Sequence, residues 1–343
     1  MAKTRIAING FGRIGRLFFK AALGAPDLEV VALNDLGDVE NLAYLLKYDS
    51  VYGRYDKSVQ ADMQKGTLTV SGAEIRFLQV KDPAQLPWKD MDVDIVLEST
   101  GFFESYAKAK VHLDAGAKRV VITAPAKDED GADGKTVLIG VNEEDMKTCA
   151  ITSNGSCTTN SVSPVIQILS ENPGIAKALL STVHSYTATQ SLVDGPIREG
   201  KDYRRGRAGA HNIAPSTTGA AVSVTRAIPE LKGMFDGMAF RVPSITGSVS
   251  DITFVAKRAT SAEEINQILK DAAATPRWQG ILKVTDDQLV SSDIVGEPYG
   301  AIVDLNFTKV VGGDLVKVLS WYDNEAGYVA TLVRHVMKVA EYL

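Results

Sequence analysis

The stretch "RIAINGFGRIGRLFFKAAL", residues 5 to 23, constrains this chain more tightly than any other. An apolar, β-branched run leads into three glycines, Gly10, Gly12 and Gly15, and then directly into residues with helical apolar spacing. Glycines so placed allow a tight turn and let backbone N–H groups and a helix N-terminus approach a pyrophosphate. Taken alone, the motif is a weak signal, since a strand-to-helix turn that binds nothing can carry the same glycines. The next apolar run, "EVVALND", ends in Asp35, 20 residues after Gly15. A carboxylate there accepts hydrogen bonds from the adenosine ribose hydroxyls and repels a 2′-phosphate. Strand, glycines, helix and acid in that order predict a dinucleotide site, with NAD favoured over NADP.

The same alternation continues through the first 150 residues, in "VENLAYLLKY" (39 to 48), "VDIVLEST" (93 to 100), "AKAKVHLDAG" (107 to 116) and "RVVIT" (119 to 123). It predicts a doubly wound parallel sheet, interrupted by a hairpin that turns at Ser71-Gly72. Beyond residue 157 the strand-like runs lengthen, as in "ALLSTVHSYT", "SVSDITFVAK" and "DLVKVLSWYD". The expected fold is α/β: a Rossmann-type doubly wound parallel sheet plus an α+β catalytic domain with a largely antiparallel sheet. The expected boundaries are 1–156 for the first domain and 157–325 for the second, with 326–343 a C-terminal helix returning to the first.

Composition removes several function classes. A net charge of −5 offers no general basic surface for nucleic acid, and no apolar run approaches the ~20 residues of a membrane span. The opening residues lack a signal-peptide apolar region. Two cysteines among 343 residues cannot build a disulfide framework, and without clustered histidines they make a poor metal site. A reducing, cytoplasmic setting and no metal follow as expectations.

One of those cysteines lies in "SNGSCTTNS", residues 153 to 161, among hydroxyls and amides rather than apolar neighbours. With Ser156 as the cap of a helix beginning near Cys157, the helix N-terminus is expected to stabilise a thiolate and lower the thiol pKa. A proton acceptor must come from four histidines: His112, His184, His211 and His335. His184 stands out inside the apolar strand "LLSTVHSYTATQ". By itself it reads as a hydrogen-bonded core residue, but with Cys157 it completes a nucleophile and base. His112 and His335, in helical patterns among charged residues, are expected to be solvated. Cys149 is expected to be structural.

The segments "INGFGRIGR", "LLKYDSVYG", "ESTGFF", "SNGSCTTN", "HSYTATQ", "NIAPSTTGAA", "FRVP" and "WYDNEAGY" lie in the order and spacing of phosphorylating glyceraldehyde-3-phosphate dehydrogenases. The chain resembles that family over essentially its whole length. The resemblance implies a homotetrameric glycolytic enzyme that oxidises glyceraldehyde 3-phosphate with NAD and inorganic phosphate. It further implies that Cys157 and His184 are catalytic, through a hemithioacetal and a thioester. Ser156, Thr158, Thr218 and Gly219 would contact the attacking phosphate, and Thr187, Arg205 and Arg241 would bind phosphate groups. Arg13, Ile14, Lys81, Thr123 and Asn324 would join Gly10, Gly12, Gly15 and Asp35 around NAD.

This sequence departs from the family pattern at a few places. Lys81 stands where many relatives have arginine, Ser161 replaces a frequent second cysteine, and Gly155 replaces alanine. None removes a proposed catalytic group. The long loop 188–210 carries Arg198, Lys201, Arg204, Arg205 and Arg207 and reads from its residues as a solvated or anion-binding loop, not a nucleic-acid patch; the resemblance implies that it lies near a subunit interface and the cofactor. Two alternatives stand beside the leading one: erythrose-4-phosphate dehydrogenase, and an NAD-binding redox sensor without turnover.

Overall fold

The computed structural model describes residues 3–197 and 200–343. The chain divides into two compact units, the first Met1–Val137, Glu143–Gly155 and Leu332–Leu343, the second Leu138–Asn142 and Ser156–Thr331.

In the first unit the elements run β1 (Thr4–Asn9), α1 (Arg13–Ala22), β2 (Leu28–Asn34), α2 (Val39–Lys47), a two-residue pair β3 (Tyr48–Asp49) and β4 (Gly53–Arg54), then β5 (Val59–Asp62), β6 (Thr67–Val70) and β7 (Ala73–Leu78). They continue with β8 (Ile95–Glu98), the one-turn helices α3 (Tyr106–Ala109) and α4 (Val111–Asp114), β9 (Arg119–Ile122), β10 (Gly134–Thr136) and β11 (Ile151–Ser153). Nine strands form one sheet in the order β10-β11-β9-β8-β1-β2-β7-β6-β5. Every pairing from β10 to β7 is parallel; β5, β6 and β7 pair antiparallel. Ser71 and Gly72 both take positive φ, 50° and 85°, which is the backbone of a two-residue type I′ hairpin turn.

Strand order reverses at β1, whose neighbours are β2 and β8, and open α/β sheets bind ligands beyond the strand ends at such a point. Two of the three glycines at this turn, Gly10 and Gly15, are there for steric reasons. Gly10 has φ +97°, and a Cβ on it would lie 2.6 Å from the Ser99 backbone. A Cβ on Gly15 would lie 2.2 Å from the Gly10 carbonyl oxygen, so any side chain would push α1 off the turn.

The second unit is built on β12 (Ile175–Ser185), β13 (Ala214–Thr217), β14 (Phe235–Val242), β15 (Ser248–Ala256), β16 (Leu282–Thr285), β17 (Ala301–Val311) and β18 (Leu315–Tyr322). Its helices are α5 (Cys157–Glu171), α6 (Ala220–Ala227) and α7 (Ala262–Ala273), and α8 (Ala326–Ala340) follows β18. The sheet order is β13-β14-β12-β15-β18-β17-β16. Four pairings are antiparallel and two, β12 with β14 and β16 with β17, are parallel. β15 alternates buried and half-buried along its whole length, so one face of the sheet meets a core. That core joins Val162, Val165, Ile166 and Leu169 of α5 to Leu180, Ile252, Phe254, Val316 and Val318 of the strands. Each such side chain, fully buried, contributes roughly 1.5–3 kcal/mol.

Two expectations about histidines are overturned. His112 and His335 are both fully buried rather than solvated. On α4 the flanking Lys110 and Asp114 form an exposed i,i+4 ion pair, while His112 between them turns inward to Glu98. His335 shares its helix face with buried Leu332, Val336 and Val339, and its Nε2 lies 2.7 Å from Thr152 Oγ1. Burial pushes His335 down to about 3. Its folded-state pKa is thus below the unfolded one, so unfolding takes up a proton at intermediate pH. The associated stability is present in full above about pH 6.5 and is lost as pH falls. We expect thermal stability to drop between pH 6.5 and 5, with a shallower slope in His335→Gln by up to ~1.4 kcal/mol per pH unit. Equal slopes by differential scanning calorimetry would contradict this.

Candidate active site

The N-terminus of α5 is a reciprocal capping box. Ser156, extended at φ −107° and ψ 172°, accepts the Thr159 N–H on its hydroxyl, and Thr159 Oγ1 accepts the Ser156 N–H, both at 3.1 Å. Cys157 is therefore the first helical residue, at the positive end of the helix dipole. Thr158 Oγ1 bonds the Tyr322 hydroxyl at 2.9 Å, which bonds Thr182 Oγ1 at 2.7 Å. These hydroxyls pin the start of α5 over β12 and β18.

β12 carries His184 to this point. Its Nε2 lies 3.3 Å from Cys157 Sγ, and its ring meets the Tyr322 ring edge-on at 5.9 Å. The Ser185 carbonyl lies 2.7 Å from His184 Nδ1 and 3.2 Å from Arg241 Nη1. A carbonyl only accepts, so both nitrogens donate to it. Nδ1 then carries the proton, and the Nε2 lone pair faces the sulfur. That is the tautomer a general base needs. The 2.9 Å approach of Arg241 Nη1 to Nδ1 follows from this shared acceptor.

The expected lowering of the thiol pKa is corrected here. Cys157 keeps partial exposure, yet protein atoms crowd its sulfur, and burial pushes the thiol up against the opposing pull of the Arg241 guanidinium and the helix N–H groups. Burial, with Arg241 adding to it, pushes His184 down to about 3; the bond to Ser185 resists. Considered singly, each group is held neutral. Proton transfer from Sγ to Nε2 charges both together and leaves the pair's net charge unchanged, so the ion pair is the charged form this site can hold.

The polar residues around the pair fall into groups. Thr187 Oγ1 bonds Thr189 Oγ1 at 2.9 Å, and Thr189 accepts from Arg205 Nη1 at 3.4 Å. Arg205 also donates through Nε to Ser216 at 3.0 Å. Gly219 begins α6 without a side-chain cap, with nothing within 4 Å of where its Cβ would be, and Thr218 Oγ1 accepts the Ala220 N–H. Thr158 differs in that its buried hydroxyl bonds Tyr322, while its side chain and backbone N–H also hydrogen-bond the Cys157 sulfur. In the long loop Arg204 and Arg207 pair with Asp202 and Asp194. Arg198 lies outside the described residues.

In the first unit, Gly12 is the N-cap of α1, without a side-chain cap and with nothing within 4 Å of its Cβ position. Backbone and open space suit a diphosphate there. Asp35 accepts the Phe11 N–H at 2.6 Å and the Gly37 N–H at 2.8 Å, which aims the carboxylate beside the glycine turn. Arg13 pairs with Asp49, Ile14 follows it on the first turn of α1, Lys81 is exposed just past β7, and Thr123 donates its hydroxyl to the Glu98 carbonyl. Asn324, in the second unit, accepts at Oδ1 from Ser185, Thr246, Gly247 and Ser248. Four donors on one oxygen fix the amide's orientation. Its Nδ2 makes no hydrogen bond among the described residues.

Residues 4–106 match the NAD binding domain of glyceraldehyde 3-phosphate dehydrogenase, and residues 156–324 match its C-terminal domain. The glyceraldehyde-3-phosphate dehydrogenase of Mycobacterium avium is 49% identical over 99% of each chain. That of Clostridium pasteurianum is 47% identical over 96% of this chain and 97% of its own, and that of Streptomyces coelicolor 48% over 96% of each. The chain belongs to the glyceraldehyde-3-phosphate dehydrogenase family. It is an NAD-dependent oxidoreductase with an NAD-binding parallel-sheet domain and a mostly antiparallel C-terminal domain. Within this family member, sequence reasoning passed over Tyr322, although it lies two positions before Asn324 in "WYDNE". It also passed over Glu98 with its partner His112. The available signal was three apolar strands that each end in a buried polar residue: Asn9, Asn34 and Glu98.

Proposed function

We propose that this chain oxidises D-glyceraldehyde 3-phosphate to 1,3-bisphosphoglycerate in glycolysis and gluconeogenesis, using inorganic phosphate. The observation that carries the reading is the 3.3 Å contact of Cys157 Sγ with His184 Nε2, at a helix N-terminus and beside Arg241. NAD, when bound, supplies the two-electron acceptor; Gly10, Gly12, Arg13, Ile14, Gly15, Asp35, Lys81, Thr123 and Asn324 would hold it.

Proton transfer from Cys157 to His184 yields the thiolate, which adds to the aldehyde carbon. A carbon–sulfur bond forms, and the imidazolium returns its proton to the carbonyl oxygen, giving a hemithioacetal. His184 then removes that hydroxyl proton as the carbon is oxidised, leaving a thioester on Cys157. Phosphate attacks the thioester, the carbon–sulfur bond breaks, and the departing thiolate reforms the ion pair with His184. Arg241 and the α5 N–H groups face the negative charge that develops on oxygen. Thr187, Arg205 and Arg241 would bind phosphate groups, while Ser156, Thr158, Thr218 and Gly219 would receive the attacking phosphate.

The working form is proposed to be a cytoplasmic homotetramer. Supporting this, exposed Leu179, Val183, Met238, Phe307 and Leu315 lie on the strands of the seven-stranded sheet, an apolar surface suited to another copy of the chain. No helix among the described residues is long and apolar enough to cross a membrane. Light scattering should give four times the 36.8 kDa chain mass. Substrate choice tests the central reading. We expect kcat/KM for glyceraldehyde 3-phosphate to exceed that for erythrose 4-phosphate by about tenfold or more. The reverse order would assign the chain to the longer aldehyde.

A further inference from the structure

A buried hydrogen-bond network lies beneath the dinucleotide crevice of the first unit. Glu98 ends β8, and its two carboxylate oxygens serve different partners. Oε2 accepts from Asn9 Nδ2 at 2.6 Å and from His112 Nε2 at 2.9 Å. Oε1 accepts the Thr100 N–H at 2.8 Å and the Thr100 hydroxyl. The direction of the His112 bond is settled by Trp88, whose Nε1–H donates to His112 Nδ1 at 3.2 Å and so leaves the ring proton on Nε2. From Asn9 the network passes to Asn34, whose Nδ2 donates to Asn9 Oδ1 at 2.7 Å, and Asn34 Oδ1 accepts the Val80 N–H at 2.9 Å.

Four members stand one residue before, or bonded to, a group assigned to the cofactor. Asn9 precedes Gly10, Asn34 precedes Asp35, and Val80 precedes Lys81. The Glu98 carbonyl accepts both the N–H and the hydroxyl of Thr123. Ser99, next to Glu98, donates its hydroxyl to the Gly10 carbonyl at 2.6 Å. The network therefore sets the relative register of four chain segments that leave the sheet together.

We propose that Glu98 and His112 are positioning residues for NAD: they hold the ends of β1, β2 and β8 and the segment after β7 in the register that binds the dinucleotide. This rests on the assignment of Gly10, Asp35, Lys81 and Thr123 to that cofactor. Glu98→Gln keeps shape but sets an amide donor against two donors, Asn9 Nδ2 and His112 Nε2–H, or, if flipped, against the two donors of Thr100. His112 cannot relieve this by changing tautomer without abandoning Trp88.

The test compares Glu98→Gln, Trp88→Phe and Asp35→Ala as full-length enzymes. NAD affinity is read by calorimetric titration, and amide hydrogen exchange is followed in the free protein. In Glu98→Gln we expect NAD affinity to fall about tenfold or more and the Thr100 amide to exchange faster by a similar factor. Turnover at saturating NAD and exchange in β12 to β18 should stay unchanged. Trp88→Phe, which removes one donor, should weaken NAD binding to a lesser degree and carries the test if Glu98→Gln does not fold. Wild-type NAD affinity in both variants, with Asp35→Ala weakened, overturns the positioning role alone. Affinity unchanged in Asp35→Ala overturns the cofactor assignment and this inference with it. Exchange that quickens throughout both units makes the network merely structural and also overturns the inference.

Discussion

Turnover falls by on the order of 10⁴-fold or more in Cys157→Ser, with NAD affinity essentially unchanged, as expected for loss of the atom that forms the covalent bond. A serine hydroxyl is far harder to ionise than a thiol, and this site already works against ionisation. Burial raises the Cys157 thiol even with Arg241 and the helix N-terminus opposing it. An oxygen acid starting several pKa units higher gains too little from the same surroundings to reach its anion at neutral pH. The reciprocal cap of Ser156 and Thr159 and the Tyr322–Thr182 bond do not involve the sulfur, so the variant should fold normally. Steady-state kinetics with a calorimetric NAD titration checks both halves. Turnover within tenfold of wild type would mean the aldehyde is oxidised without a covalent bond to residue 157.

His184→Asn is expected to lower kcat by about 10² to 10⁴-fold. It should also change how the thiol responds to pH. With Nε2 absent, the sulfur has no acceptor 3.3 Å away, and the thiolate forms only above a thiol pKa that burial has raised. Alkylation of Cys157 by iodoacetamide near neutral pH should therefore slow sharply and recover as pH rises. A rate and pH profile equal to the wild type would show that the pair does not ionise together.

The legible parts of this molecule were those where local sterics or helix chemistry leave few options. Gly10 and Gly15 could be read because a Cβ at either would strike backbone, and the start of α5 because Ser156 and Thr159 satisfy each other's N–H groups. The hairpin at Ser71-Gly72 was legible for a similar reason, since both residues take positive φ. Residue type pointed to Cys157 and His184, but their contact depends on β12 passing under α5, which no local pattern encodes. The sign of the thiol shift was misread because the helix dipole is visible in a sequence and crowding around a sulfur is not. His112 was misread because its charged neighbours Lys110 and Asp114 lie on the opposite face of a single helical turn. The buried partner that draws it inward, Glu98, comes from another strand.

The covalent route through Cys157 is tested most directly by reduced-nicotinamide absorbance after enzyme, NAD and glyceraldehyde 3-phosphate are mixed without inorganic phosphate, which is then added. The account predicts a burst of about one reduced cofactor per active site, then sustained turnover only once phosphate arrives. Sustained turnover before phosphate is added would contradict it, because water rather than phosphate would then be resolving the acyl enzyme.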